Sequence, residues 1–260
     1  MARIAHLSDI HFGGENEAAV AAARSWLAAN KPDLTIISGD LTSFGRPSEF
    51  ARAAHWIGGL DGPWLITPGN HDTPYLGLWE RLVSPFSRFE RAIGPASGEV
   101  WANAEMMVTA VNTARGMQFR WNWSKGAIAP GQTDWTLNIL HGRPSGSLGV
   151  VVCHHPLAEM VGGPMTARVR GGEAAACRLC EGGADMVLTG HIHAPFAMAL
   201  PYGDGRTYAV GAGTLSVRER GVPAGFNLIE TDQNTIAVTA QAWTGSNFEV
   251  WRTWTLPRRA

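Results

Sequence analysis

Arg3-Ile4-Ala5-His6-Leu7-Ser8-Asp9-Ile10-His11 is the stretch on which the reading of this chain turns. Arg3–Ser8 has the length and apolar character of a buried β-strand, and the polar pair Asp9 and His11 follows at once. Successive side chains of an extended segment point to opposite sides, so the one residue between them leaves Asp9 and His11 on one face, able to share a cation.

The same arrangement recurs four times further along. Leu34–Ser38 ends in Gly39-Asp40, and Trp64–Thr67 runs into Gly69-Asn70-His71-Asp72. Gly149–Cys153 leads to His154-His155-Pro156, and Met186–Thr189 to Gly190-His191-Ile192-His193. Carboxylate, carboxamide and imidazole are the donors that bind zinc, iron or manganese. A lone histidine at a strand end is ordinarily a packed or solvated residue, but five such blocks in order make a ligand set. Between these strands, Glu15–Asn30, the stretch from Pro47 to Ile57, Leu78–Ile93, Thr133–Leu140 with Thr133 as its cap, and Glu173–Cys180 read as helices. Alternating strands and helices predict an α/β fold that gathers distant residues at one sheet edge. After His193 the chain turns β-rich, with a hairpin signal at Gly203-Asp204-Gly205 and period-two alternation in Phe226–Glu230, Thr235–Gln241 and Phe248–Leu256. No repeat or linker interrupts the pattern, so one domain over residues 1–260 is expected.

Composition narrows the function class. A formal charge of −1 over 260 residues supplies no basic footprint for nucleic acid or an anionic membrane surface. No uninterrupted apolar stretch approaches spanning length, and Met1–His6 runs into a strand pattern rather than a signal-peptide core. Three cysteines argue against a disulfide framework, and Cys177-x-x-Cys180 lacks the second pair a zinc site needs. A cytoplasmic protein is expected, with His6 a hydrogen-bonded core residue and His55 and His141 outside any motif.

The spacing suggests a chemistry. Asp40, after a glycine at a strand end, can use both carboxylate oxygens to bridge two ions. Asn70 adds a neutral oxygen where a further carboxylate would over-neutralise them. Two metals sharing a carboxylate lie roughly 3.5–4 Å apart and hold a hydroxide of depressed pKa, suited to attack on phosphorus.

Asp-x-His, Gly-Asp, Gly-Asn-His-Asp, His before Pro and Gly-His-x-His, in this order from Asp9 to His193, resemble the calcineurin-like metallophosphoesterase superfamily, and most of all its bacterial class III cyclic-nucleotide and glycerophosphodiester phosphodiesterases. The resemblance implies a four-layer αββα sandwich of two mixed β-sheets flanked by helices, with a dinuclear centre of manganese, iron, zinc or cobalt at the strand ends. It implies that Asp9, His11, Asp40 and His193 hold one ion, and that Asp40, Asn70, His154 and His191 hold the other. His154 rather than His155 is the ligand because the family pattern is His-x-Pro. His71 would act as the acid toward the leaving alkoxide, with Asp72 orienting its imidazole. The implied activity is hydrolysis of a small phosphodiester by the metal-bridged hydroxide. Phosphomonoester hydrolysis and a non-catalytic metal-binding scaffold are the rival readings.

Substrate choice falls to loops at Thr42–Arg46, Thr73–Leu78, Arg115–Lys125 and Leu157–Gly172, the last carrying Arg168 and Arg170 as phosphate-seeking charges. Trp121 and Trp123 share one face of an extended segment and could stack a base, or cover core. Asn112-Thr113 and the small-residue loop Gly211-Ala212-Gly213-Thr214 are further candidates to approach the site. The Trp-rich C-terminal strands offer a surface for a homodimer.

Overall fold

The computed structural model describes residues 1–119, 122–159 and 169–259. Trp121 and Arg168 lie outside them. The first half runs β1 (Arg3–Leu7), α1 (Glu17–Asn30), β2 (Leu34–Ile37), α2 (Pro47–Ile57), β3 (Trp64–Ile66), α3 (Leu78–Val83), α4 (Ser87–Ala92), β4 (Val100–Ala102) and β5 (Met106–Ala110). The second runs α5 (Pro130–His141), β6 (Leu148–Val152), α6 (Gly172–Glu181), β7 (Met186–Thr189), β8 (Phe196–Ala199), β9 (Tyr208–Gly211), β10 (Gly225–Thr231), β11 (Thr235–Trp243) and β12 (Phe248–Pro257).

Two six-stranded mixed sheets form, in the orders β12-β11-β10-β1-β2-β3 and β4-β5-β6-β7-β9-β8. In the first, β1, β2 and β3 are parallel, while β10 returns antiparallel beside β1 with Ile4 opposite Ile229. In the second, β5, β6, β7 and β9 are parallel and the two edge strands antiparallel. Alternation explains the layering. Ile4, Leu34 and Ile36 turn inward to meet Val108, Val150, Val152 and Leu188 of the other sheet. Ala5, Leu7 and Ile37 turn outward under Val20, Leu27, Phe50 and Trp56 of α1 and α2. On the far side, Val151 and Val187 pack under Leu137, Leu140, Ala176 and Leu179 of α5 and α6. Both faces of the central strands are covered, which is why they read as unbroken apolar runs. The architecture is the four-layer sandwich of two mixed sheets.

Two helix expectations need correction. Leu78–Ile93 is two helices, because Ser84 precedes Pro85 and a residue before proline is driven from helical geometry. The helix expected from Thr133 begins at Pro130, whose missing N–H costs nothing in a first turn, and Thr133 is buried rather than capping. In both sheets the parallel strands finish at the same edge, and the five motif blocks are the loops that leave it.

Candidate active site

The loops after β1 and β2 are zipped together: Asp9 N–H donates to Gly39 O at 3.0 Å, His11 N–H to Asp40 O at 3.0 Å and Phe12 N–H to Leu41 O at 2.7 Å. Across the sheets, an Asp9 carboxylate oxygen accepts from His191 N–H at 2.8 Å, and within the first sheet one of Asp40 accepts from His71 N–H at 2.8 Å. Such close approach needs bare backbone. A Cβ at Gly190 would lie 1.8 Å from Ser8 Oγ, and one at Gly69 2.1 Å from Asp40 Oδ1. The turns are strained. Among the described residues, Asp9, His11, Asp40, His191 and His193 all take positive φ, between 52° and 68°, and Lys31 is the one other non-glycine residue to do so. Side chains in the left-handed region cost energy and persist where the surroundings enforce them, commonly at functional sites.

All seven expected ligands meet here. His193 Nε2 lies 3.1 Å and His11 Nε2 3.7 Å from Asp9 Oδ1. His154 Nε2 lies 3.3 Å and His11 Nε2 3.8 Å from Asp40 Oδ2. Asp9, His11 and His193 form one group able to hold an ion, and Asp9, Asp40 and His154 an overlapping one. Three imidazoles donate Nδ1–H to backbone carbonyls, His11 to Thr42 at 3.2 Å, His154 to Ser38 at 2.8 Å and His193 to Arg218 at 2.9 Å. This fixes the tautomer that presents Nε2 inward, as in metal sites generally. Asp9 Oδ1, Asn70 Oδ1, His154 Nε2 and His191 Nε2 are buried with no hydrogen-bond partner, half of the eight such side-chain atoms found among the described residues. Buried polar atoms are rarely left so, and here they are lone-pair donors converging on one place. The residues fit a metal centre.

Electrostatics adds a competition. Burial opposes charge on His154, yet the Asp40 and Asp9 carboxylates lift its pKa to about 9, so an ion held by its Nε2 would displace a proton. Burial also opposes ionisation of Asp40, but the surrounding imidazoles hold it well below the usual carboxylate range. Burial lowers His191 to about 3 and His11 to about 4, leaving neutral imidazoles of the kind that bind metal.

Asp72 behaves differently from expectation. Its carboxylate accepts Gly69 N–H at 2.9 Å, Thr42 N–H at 2.9 Å and Leu41 N–H at 3.2 Å, and does not orient His71. The His71 ring donates Nδ1–H to the Ser43 carbonyl at 2.7 Å instead. Asp72 thus ties the Asp40 loop to the Asn70 loop, with its pKa raised to about 6 by burial and by the Asp40 charge. Of the loop Gly211-Ala212-Gly213-Thr214, Thr214 reaches the site, its hydroxyl donating to Asp9 O at 2.6 Å, so the loop supports that residue from behind. His6 is buried and bonded to Ser38 Oγ at 2.9 Å, as expected.

Asn70 and His71 border an open pocket of about 730 Å³ lined also by Phe44, Tyr75, Leu78 and Trp123. Phe44 and Tyr75 are in edge contact at 5.7 Å, and the Arg81 guanidinium sits 5.6 Å over the Trp123 ring. Asn112 turns away to cap Ala114 N–H. Arg170 is exposed, and its backbone bonds to Gly126 O and Ile128 N–H.

Residues 2–195 match the family model of calcineurin-like phosphoesterases. The chain belongs to that family. It is 36% identical over 81 residues to GpdQ, a glycerophosphodiester phosphodiesterase of Enterobacter lignolyticus, covering 26% of this chain and 29% of that protein. It is 28% identical over 163 residues to a "probable cyclic nucleotide phosphodiesterase" of Synechococcus sp., covering 59% and 57%. The match therefore spans less than two thirds of either relative. Purple acid phosphatase from yellow lupin (Lupinus luteus) superposes over 99% of this chain and 54% of its own with TM-score 0.73, and the inner membrane complex anchor of Plasmodium over 100% and 89% with TM-score 0.63. Both are 12% identical and speak to the fold. Among the described residues, no helix is long and apolar enough to cross a membrane.

Proposed function

We propose that this member of the family hydrolyses phosphodiesters of the cyclic-nucleotide or glycerophosphodiester type, using two metal ions at the strand-end site. The observation that carries the reading is the convergence of unpartnered oxygen and nitrogen donors beside an open pocket. Asp9, His11, Asp40 and His193 would hold one ion and Asp40, Asn70, His154 and His191 the other. Manganese, iron, zinc and cobalt all suit such mixed donors. When bound, such ions neutralise phosphate oxygens and activate water at neutral pH.

The chain's own residues would do the rest. The rigid turns fix ligand positions, so little reorganisation accompanies the reaction. His71, at the pocket mouth with Nδ1 on the Ser43 carbonyl, offers Nε2 to deliver a proton to the departing alkoxide. Phe44, Tyr75 and Trp123 give the pocket apolar surface for an ester group. The free thiols among Cys153, Cys177 and Cys180 accord with a reducing, cytoplasmic setting.

The test compares bis(p-nitrophenyl) phosphate with p-nitrophenyl phosphate, using chelator-stripped protein before and after reloading with manganese. Metal-dependent turnover favouring the diester is the expected result. Preference for the monoester would make the protein a phosphatase, and metal binding without turnover of any ester would make it a scaffold.

A further inference from the structure

His155 sits between the candidate metal site and the pocket wall, and neither the ligand set nor the acid role uses it. It is buried, with its ring 4.7 Å from that of His154 and 4.6 Å from that of His191. Proximity alone would admit it as a ligand, since His154, His155 and His191 form a third group of donors within reach of one ion. Its hydrogen bonds say otherwise. The Ser124 carbonyl, which can only accept, lies 2.7 Å from Nε2, so Nε2 carries the proton. Nδ1 must then accept from the Thr113 hydroxyl at 2.9 Å, and that oxygen accepts His155 N–H in return at 3.2 Å. Both ring nitrogens are consumed, whereas the Nε2 atoms of His154 and His191 are left unpartnered.

What the ring holds is the far side of the pocket. Ser124 closes a turn in which its N–H and hydroxyl both bond to Asn122 Oδ1, and Asn122, Trp123 and Ser124 all line the cavity. Gly126 presses on the same imidazole, where a Cβ would come within 2.6 Å of the ring. The segment continues into Ala127, whose N–H bonds to Thr113 O at 2.8 Å.

We propose that His155 is a positioning residue: a neutral clasp, closed by Thr113, that sets the Asn122–Ser124 wall at a fixed distance from the metal site and so governs the fit of the ester group. Its effect on catalysis rests on the phosphodiesterase reading above. Its effect on the wall does not, and the sequence supplies an independent probe. Lys31 and Lys125 are the two lysines of the chain, and only cleavage after Lys125 releases a fragment that begins at Gly126. Limited digestion with lysyl endopeptidase therefore reports on Lys125, within the clasped segment.

The experiment compares wild type, His155→Ala, His155→Gln and Thr113→Val for cleavage at Lys125, metal content, and KM against kcat on bis(p-nitrophenyl) phosphate. For His155→Ala, cleavage accelerates on the order of tenfold as the wall opens. Its KM rises on the order of tenfold with little change in kcat, and metal content holds. Gln can still donate to the Ser124 carbonyl, so it restores most of both. Thr113→Val falls between, and it carries the test if His155→Ala does not fold. Loss of one metal with unchanged cleavage would make His155 a ligand and overturn the proposal, as would wild-type cleavage and KM in all variants. The expected cleavage pattern in a protein inert toward every phosphoester would support the clasp and overturn the hydrolase reading.

Discussion

The His71 imidazole is anchored through Nδ1 to the Ser43 carbonyl, which leaves Nε2 as the nitrogen available for proton transfer. His71→Ala should therefore keep its metals while losing on the order of 10²–10⁴ in kcat on alkyl diesters, and far less on nitrophenyl esters that depart unaided. Equal loss on both would remove the acid role. Asp72 is a scaffold residue by contrast. Asp72→Asn turns one acceptor into a donor against the N–H groups of Leu41, Thr42 and Gly69, and should cost about 1–3 kcal/mol, read as a lower Tm. The candidate ligands were legible because they are side chains in a fixed order. The partners that orient them and His71 were not, because Ser38, Thr42, Ser43 and Arg218 act through backbone carbonyls that any residue would supply. Asp72 misled for a related reason: adjacency to His71 in sequence says nothing of which way a turn sends the next side chain.

At the scale of elements, strands were the readable part, since apolar runs buried on both faces leave one interpretation. Helices faltered where a local device overrode periodicity, at Pro85 and at Pro130. The C-terminal strand shows a device that sequence alone hides. Arg259, just past β12, donates to Asp204 in the turn of the β8–β9 hairpin at 2.8 Å and to Ala184 O at 3.1 Å, and lies 3.5 Å from Asp185. It ties the end of one sheet to the other. Arg259→Ala should lower stability by about 1 kcal/mol, the contribution of partly exposed ion pairs with one carbonyl contact, and leave phosphoester turnover unchanged. The sign with pH follows from Asp204, whose carboxyl is held below its usual range by hydrogen bonds from Arg259. The stabilisation is present above the unfolded carboxylate pKa and fades as pH falls below it, so the Tm gap between wild type and variant should narrow in acid. A gap that is constant with pH would mean that packing, not charge, carries the effect.

For the whole molecule, the β1–His193 region and the strands after it depend on each other, since β10 completes the sheet begun by β1 and Thr214 supports Asp9. Metal bound only by the folded state should stabilise all of it. A cation at roughly 100 times its Kd adds about 2.7 kcal/mol, so chelation should lower Tm as well as stop turnover, and reloading should restore both. An unchanged Tm after chelation would mean the strained turns hold without an ion.

Asp40 is the point where these scales meet, with Oδ1 on His71 N–H and Oδ2 facing both His11 and His154. Metal content and diester turnover of Asp40→Ala against wild type test the central claim most directly. Two ions per chain in the wild type, with loss of metal and of turnover by at least 10³-fold in the variant, are the predicted result for removal of a shared ligand. A variant that keeps both ions and hydrolyses the diester at the wild-type rate would contradict the account.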